Sequence, residues 1–490
     1  MVKSEPSFIG AIDNGTTSSR FLIFDENGGL VIGHQLEYPQ IYPHPGWVEH
    51  DPNAILESVL ACIEGALRKF ALQGNNVRDL KGVGITNQRE TAVVWDKNTG
   101  KPLYNAIVWS DARTADIVRR MSNASEKGAD AIKEVCGLPI TTYFSAVKLR
   151  WMLENVPEVK EAHDNGTMLF GTVDSWLIYN LTGGREGGVH VTDVTNASRT
   201  QLLDIRTLTW SDECLELFGL NKNILPEIKP SSSFFGKITH PALDTLAGVP
   251  ITGNLGDQHA AMVGQSCFQV GEAKNTYGTG CFMLFNTGMN HIISNNGLLT
   301  TVAYQFEGEP AVYALEGGIA VAGSAVQWLR DNLGIIKSAD EINGLASVVK
   351  DNGGVVFVTA FSGLFAPYWR PDVRANITGL TQHTTKHHLA RATLEAACFQ
   401  TRAVLEAMNA DSNHPLAALR VDGGLSNSDV CMQLQADILG IDVTRPQMRE
   451  STALGAATAA AVHLGIGKWA GGFKAFRERA KESEETHQVF

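Results

Sequence analysis

Ile9–Phe24, IGAIDNGTTSSRFLIF, carries the pattern on which the rest of the chain turns. An apolar run reaches an acid at Asp13, turns through Asn14 and Gly15 into the hydroxyls of Thr16, Thr17, Ser18 and Ser19, passes Arg20 and becomes apolar again. Two apolar runs about a short polar turn predict strand, turn, strand. Backbone amides and hydroxyls that point one way donate to anionic oxygens, and Arg20 adds a fixed positive charge. Asp13 in the same turn repels a phosphate unless a divalent cation lies between them, which implies magnesium. An ordinary polar hairpin reads the same locally. Asn275–Thr287, NTYGTGCFMLFNT, repeats the design in the other half of the chain around Gly278, Thr279 and Gly280. Two hairpins of one design suggest a duplicated fold that grips one phosphate chain from both sides.

At 490 residues the chain exceeds what one core sustains, so two domains with a cleft between them are expected. A hydrophobic fraction of 44% with 19% charged residues fits a folded globular protein and not a disordered one. A formal net charge of −12 excludes nucleic acid as a partner, since a binder of that polyanion needs a basic surface. MVKSEPSFIG enters the first strand without a signal-peptide apolar core, and no apolar run is long enough to span a bilayer, so a cytoplasmic protein is expected. The seven cysteines form no CxxC pair, which points to buried small apolar residues rather than disulfides or zinc ligands. Neither G-x-x-x-x-G-K-[ST] nor an HRD and DFG set occurs, which excludes a P-loop enzyme and a protein kinase.

Along the chain, Tyr38–Pro52 is a proline-broken aromatic crossover. A helix capped by Asn53 follows, then a strand over Val83–Thr86 that ends in Asn87-Gln88-Arg89-Glu90. Four polar residues there predict a solvated turn, although an adjacent Arg and Glu also offer a donor and an acceptor to one small polyol. Trp109 ends an apolar strand ahead of a helix expected near Asp111, and Thr141–Asn155 starts another helix with Lys148, Trp151 and Met152 at helical spacing. Leu169–Leu181 reads as strand then helix, Val191–Leu203 as further sheet and Ile205–Leu225 as helix. Ile251–Ala261, ITGNLGDQHAA, is the sharpest motif: a strand ends in glycines and exposes Asp257 and Gln258 before a small-residue helix. An acid fixed at a strand tip suits a general base, and suits a helix cap equally well. Gly264–Gly271 reads as a hinge. Glycines before helices at Ala314–Arg330 and Val421–Val430, the latter capped by Ser426 or Ser428, suit the parts of a nucleotide. Ser451–Leu464 predicts tight helix-on-sheet packing, and the tail from Phe476 a solvated helix.

Taken together, these residues resemble the FGGY family of carbohydrate kinases, most closely its glycerol kinases, from Ile9 to about Trp469. Tyr143–Asn155, with Lys148 and Trp151 in register, matches one family motif and Ala375–Glu395 the other. The resemblance implies an α/β chain with the two-domain actin-like ATPase (ribonuclease H-like) fold, mixed sheets flanked by helices and the active site in the cleft. It implies an N-terminal glycerol- and phosphate-binding domain over 7–264, a C-terminal nucleotide-binding domain over 272–470 and a charged tail over 471–490. It further implies transfer of the γ-phosphoryl group of ATP to glycerol, giving sn-glycerol 3-phosphate. Arg89, Glu90, Tyr143, Asp257 and Gln258 would hold the glycerol hydroxyls, with Trp109 and Phe282 as apolar walls. Asp257 would be the base and, with Asp13, a Mg2+ ligand. Asn14, Thr16, Thr17, Ser18 and Arg20 would meet the phosphoryl oxygens. Thr279, Gly280, Gly323, Gln327 and Gly424 match the family's nucleotide contacts, with Asn427 or Ser428 at the adenine.

The implied partners are glycerol and ATP or ADP, with a homodimer allowed and no membrane span or nucleic acid. Phe235–Pro241 lacks the glycine-rich, arginine-bearing loop of family members inhibited by fructose bisphosphate, so no such inhibition is expected. Two alternatives stay open: a kinase of another small polyol or ketose, and a non-catalytic actin-like ATP-binding module.

Overall fold

The hairpin expected at Ile9–Phe24 is formed by β1 (Phe8–Asn14) and β2 (Ser18–Asp25), antiparallel and in a register that sets Asp13 opposite Arg20. This is seen in a computed structural model that describes residues 6–361, 363–370, 372–482 and 487–490. The chain divides into two units. The first comprises Met1–Ser266, Thr301–Val312 and Thr452–Ser483, and the second Cys267–Thr300, Tyr313–Ser451 and Glu484–Phe490.

In the first unit β1 and β2 join β3 (Leu30–Glu37), β4 (Leu80–Asn87), β5 (Ser232–Lys237) and β6 (Pro250–Gly256) in the order β5-β6-β4-β1-β2-β3. Strands β1, β4 and β6 run parallel, and β2, β3 and β5 antiparallel to their neighbours. All seven residues of β1 are buried, because helices cover both faces of the parallel strands and leave no alternation. One cover is the helix Pro52–Leu72, whose Ile55, Val59, Ile63, Ala66 and Phe70 recur at helical spacing and are buried. Each such aliphatic or aromatic side chain contributes about 1.5–3 kcal/mol by leaving water. The other is Ser451–Leu464, the small-residue helix. A Cβ on Gly84 would lie 2.1 Å from the Ala456 carbonyl oxygen, and one on Gly253 2.6 Å from the Ala460 nitrogen, so only glycine lets β4 and β6 approach this helix. Ser232 Oγ and Thr252 Oγ1 donate to its Ala459 and Ala460 carbonyls.

The second unit repeats the plan. Strands β7 (Ala273–Tyr277), β8 (Cys281–Gly288) and β9 (Val312–Ile319) form an antiparallel meander. Strand β10 (Ala418–Asp422) lies parallel to β7, β11 (Asp442–Pro446) parallel to β10, and β12 (His487–Val489) closes the edge antiparallel. Meander, two parallel strands and an antiparallel edge thus occur twice. Each sheet is mixed and flanked by helices, as expected of the actin-like, ribonuclease H-like fold.

Several local expectations are corrected. The first helix is capped by Asp51, whose carboxylate accepts from the Asn53 amide, and not by Asn53. No helix starts at Asp111. Its buried carboxylate accepts from the Val48 amide and from Arg113, and the helix begins at Ala115. Val191–Leu203 is not continuous sheet: Val191–Asp193 is a strand, and Asp193 then caps the short helix Val194–Ala197. Ile205–Leu225 contains a strand at Thr209–Trp210 and only the helix Asp212–Phe218 with a 3-10 turn. Ser428, not Ser426, caps Asp429–Leu439. The C-terminal helix Gly472–Glu482 is not wholly solvated, because Phe473 and Phe476 are buried. All seven cysteines are buried and unpaired as expected.

Candidate functional site

In the first unit the hairpin turn spans Gly15–Thr17, with the Gly15 amide on the Ser18 carbonyl at 2.9 Å. Thr17 is exposed and Thr16 and Ser18 half-buried. The Thr16 hydroxyl accepts from the Trp109 indole at 3.0 Å, and Ser18 Oγ accepts from Gln35 at 3.0 Å, so both can still donate outward. Asp13 and Arg20 form an ion pair across the strands, Asp13 being almost fully buried. The cation expected to meet phosphate is thus already committed to the carboxylate expected to meet magnesium, and either ligand would have to share it. Asn14 stands apart from the expected ligand set. It is fully buried, and its amide group donates to Ser19 Oγ and accepts from Gln88, which leaves its side chain a structural task.

The residues after β4 are not a solvated turn. Gln88, Arg89 and Glu90 are all buried, and Glu90 takes a φ of +61°. A non-glycine residue holds that left-handed conformation at a cost of roughly 1–3 kcal/mol only when its surroundings over-determine it. Ser145 Oγ donates to the Glu90 carbonyl at 2.9 Å, and Arg199 Nε to Glu90 Oε1 at 2.7 Å. Arg89 Nε lies 3.3 Å from Asp257 Oδ1 and 3.9 Å from Glu90 Oε1. Arg199, Glu90, Arg89 and Asp257 therefore alternate in charge along one line. It runs from a fully buried guanidinium to a carboxylate 28% exposed. Gly256 makes room for it, since a Cβ there would meet Arg89 Cγ at 2.6 Å. Asp257 begins the helix Asp257–Gly264, with Gln258 beside it.

Trp109 and Tyr143 form the apolar part, their rings 5.7 Å apart and edge to face. Tyr143 sits on a loop held from behind by the buried Lys148, whose ammonium donates to the carbonyls of Thr142, Tyr143 and Phe144 at 2.7, 2.6 and 3.2 Å. Burial brings the Lys148 pKa down to about 7, with Glu90 and Asp111 pulling it back up. Phe282 belongs to the second unit, half-buried on β8 with its ring against Gly318.

A pocket of about 350 Å³ in the second unit brings together Thr279, Gly323, Gln327, Gly424, Asn427 and Ser428. Gly280 lies behind it: a Cβ there would meet the Ile319 carbonyl oxygen at 2.3 Å. Gly323 closes on the Gly278 carbonyl and Gly423, at φ +86°, on the Tyr277 backbone, so the walls are backbone packed on backbone. Val326, Ile342 and Leu425 supply apolar lining for a planar ring, with the amides of Gln327 and Asn343 as polar partners. Ser428 Oγ is engaged with Asn343 and with the Cys431 amide, and Asn427 with Arg449.

The reading from sequence missed Arg199 and Asn343. Arg199 sits in a mostly polar stretch, DVTNASRTQLL, which reads as ordinary solvent-facing chain and gives no signal of a buried partner. Asn343 lies on Glu341–Ser347, which reads as an ordinary surface helix and carries no such signal.

Family models for the FGGY carbohydrate kinases match the chain twice, the N-terminal domain over residues 8–264 and the C-terminal domain over residues 273–464. A glycerol kinase of Chloroflexus aggregans is 55% identical over 94% of this chain and 91% of its own length, and glycerol kinase 1 of Streptomyces coelicolor 57% over 94% and 90%. The crystal structure of Plasmodium falciparum glycerol kinase with ADP superposes with a TM-score of 0.89 at 39% identity, covering 99% of this chain and 95% of that one. Gluconate kinase from Lactobacillus acidophilus, 22% identical with a TM-score of 0.84 over 99% and 94%, shares the fold. The duplicated mixed sheets, the strand-tip acid and these matches place the chain in the FGGY family of carbohydrate kinases.

Proposed function

We propose that this chain transfers the γ-phosphoryl group of ATP to a terminal hydroxyl of glycerol, giving sn-glycerol 3-phosphate and ADP. The observation that carries the reading is the buried Arg89–Glu90 pair joined to Asp257 at a strand tip. A triol needs each hydroxyl paired, and a desolvated donor and acceptor side by side reject analogues that lack one. Relatives at 55–57% identity over most of their length bear the name glycerol kinase, which agrees with that chemistry.

Glu90 accepts from the glycerol hydroxyls and Arg89 donates to them, while Trp109 and Tyr143 cover the carbon chain and Gln258 completes the set. Asp257 takes the proton of the attacking hydroxyl. A carboxylate is a weak base for an alcohol, but in a loose phosphoryl-transfer transition state the proton leaves late, so orientation contributes most. Thr16, Thr17, Ser18 and Arg20 donate to phosphoryl oxygens where charge shifts during transfer. The pocket of the second unit takes the nucleotide, its adenine between Val326 and Leu425 with Asn343 and Gln327 in reach.

Magnesium fits the residues present. Among the described residues no group of three or more His, Cys, Asp or Glu side chains gathers as an all-protein metal site. A lone buried carboxylate such as Asp13, aided by Asp257, is what a Mg2+ ion held mainly by phosphates and water requires. Bound there, it would neutralise phosphoryl charge.

The test is ADP release with ATP and magnesium, with and without glycerol, for the native chain and for Asp257→Asn. Glycerol-dependent turnover in the native chain, reduced about 10³-fold in the variant, supports both reaction and base. Equal ADP release without glycerol, or faster turnover of a pentulose, overturns the reading.

A further inference from the structure

Asp193–Arg199, DVTNASR, contributes no atom to the proposed glycerol pocket, yet its polar side chains run to the elements that carry that pocket. We infer that this segment is a positioning bracket, in which Thr195, Asn196 and Arg199 fix the substrate-holding pair and the base in register with one another; the inference rests on the function proposed above.

Asp193 folds the segment into its turn by accepting from the Thr195 and Asn196 amides at 3.0 and 2.9 Å. The side chains then leave toward two strand tips. Thr195 Oγ1 donates to Asp193 Oδ1 at 2.9 Å and accepts from the Gly256 amide at 3.0 Å, directly before Asp257. Because its single proton goes to the carboxylate, this hydroxyl faces Gly256 as an acceptor, and the bond has one direction. Asn196 and Asn87 exchange side-chain amide bonds at 3.1 and 3.0 Å, and Asn87 ends β4 two residues before Arg89. Arg199 grips Glu90 at 2.7 Å.

A second route reinforces the first, since Ser231 Oγ donates to Asp193 Oδ2 at 2.7 Å while its carbonyl accepts from the Asn254 amide of β6 at 2.8 Å. Thr195, Asn196, Arg199 and Asn87 are all fully buried, so water offers no replacement partner if one bond is lost. Three residues within five positions thus end at Gly256, Asn87 and Glu90. Misplacing a base or a substrate clamp by an ångström costs far more in rate than the same bonds contribute to folding.

The experiment is steady-state kinetics of the full chain with glycerol and ATP for Thr195→Val, Thr195→Ser and Arg199→Lys, each beside its thermal midpoint. Thr195→Val is expected to lower kcat about 10-fold with the KM for glycerol within about 2-fold, and Thr195→Ser to recover most of kcat. Arg199→Lys is expected to raise the KM for glycerol about 10-fold and leave that for ATP unchanged. If Thr195→Val does not fold, Arg199→Lys carries the test alone, through a raised KM for glycerol beside an unchanged KM for ATP. Variants in which kcat and both KM values move in parallel with the thermal midpoint, or do not move at all, overturn the bracket. A native chain without glycerol-dependent turnover overturns the proposed function itself, whereas an active native chain with unsplit variants overturns only the bracket.

Discussion

The two regions proposed to hold ligands are built on different principles. In the first unit the candidate site is the outer end of a line of charges, Arg199, Glu90, Arg89 and the partly exposed Asp257, each placed by a neighbour of opposite sign. In the second it is a pocket of glycine turns, apolar side chains and amides, with Asp340 as its acidic lining residue, whose shape comes from backbone touching backbone at Gly280, Gly323 and Gly423. The two hairpins that started from one pattern show the same divergence. Beside the first turn an acid faces an arginine across β1 and β2, while the second turn carries only Gly-Thr-Gly, its Thr279 carbonyl accepting from the Ala322 and Ser324 amides. Under the proposed function the difference has a reason: a triol offers only hydroxyls and needs strong, directional partners, whereas a purine and ribose offer flat area and need a matching shape.

The contrast breaks most visibly if a charge is removed from the line. Glu90→Gln leaves Arg199 buried against a neutral amide. We expect the KM for glycerol to rise about 100-fold or more and the fold to lose about 3 kcal/mol, since breaking a buried pair costs about 3–5 kcal/mol. Kinetics and urea unfolding of one preparation check both. On the other side, shape is the sensitive property. Gly423→Ala puts a methyl within 2.5–2.9 Å of the Tyr277 backbone at a φ of +86°. The KM for ATP should rise about 10-fold while that for glycerol stays put, because strained backbone moves the pocket wall and no charge. A rise in both KM values would show that the two regions do not act separately. Removing one amide is milder: Asn343→Ala should raise the KM for ATP about 5-fold, near 1 kcal/mol, the ordinary worth of one hydrogen bond.

Much of this design is legible in the sequence, for reasons that differ by residue. Asp13, Arg20 and Asp257 stand out because a polar residue at the tip of an apolar strand has few structural excuses, and the hairpins and Gly-Asp turn form where the apolar runs break at polar and glycine residues. Of the two readings open for the Gln88–Glu90 turn, solvated or ligand-facing, sequence alone does not choose, because four polar residues ordinarily face water. Its partners, Ser145 and Arg199, lie 55 and 109 residues from Glu90. The same distance hid the role of Asp193–Arg199, which looks like strand locally and becomes a capped turn only through Asp193. The side-chain partners of Asn14 are equally hidden, since its place in a phosphate-like turn says nothing of the Gln88 and Ser19 groups that take up its amide. Local pattern determines which element forms; which polar group faces a ligand depends on contacts that no window of sequence contains.

The charged region also carries titrations that a backbone-built pocket does not require, and this separates the two regions most gently. Burial brings the imidazoles of His50 and His190, both in the first unit, down to about 4. Unfolded, they titrate near pH 6.5, so as pH falls below that value the unfolded chain binds protons first and stability is lost progressively toward pH 4. Asp193 acts with the other sign. Burial, and next the neighbouring Asp174, raise it to about 7, so the folded chain binds its proton first and gains stability as pH falls below about 7. Lys148, also brought to about 7 by burial, is already protonated in the unfolded chain and completes its protonation on the folded chain in the same range, so between pH 7 and 5.5 the two imidazoles remove stability, Lys148 removes a little more and Asp193 returns it. Urea unfolding across that range measures the sum. His190 lies edge-on to Trp95, ring centroids 5.3 Å apart, so indole fluorescence reports its protonation from within the first unit. His190→Gln should remove about half of the imidazole contribution and leave stability flat or rising toward pH 5.5. An unchanged slope would mean that the acid sensitivity arises elsewhere in the molecule.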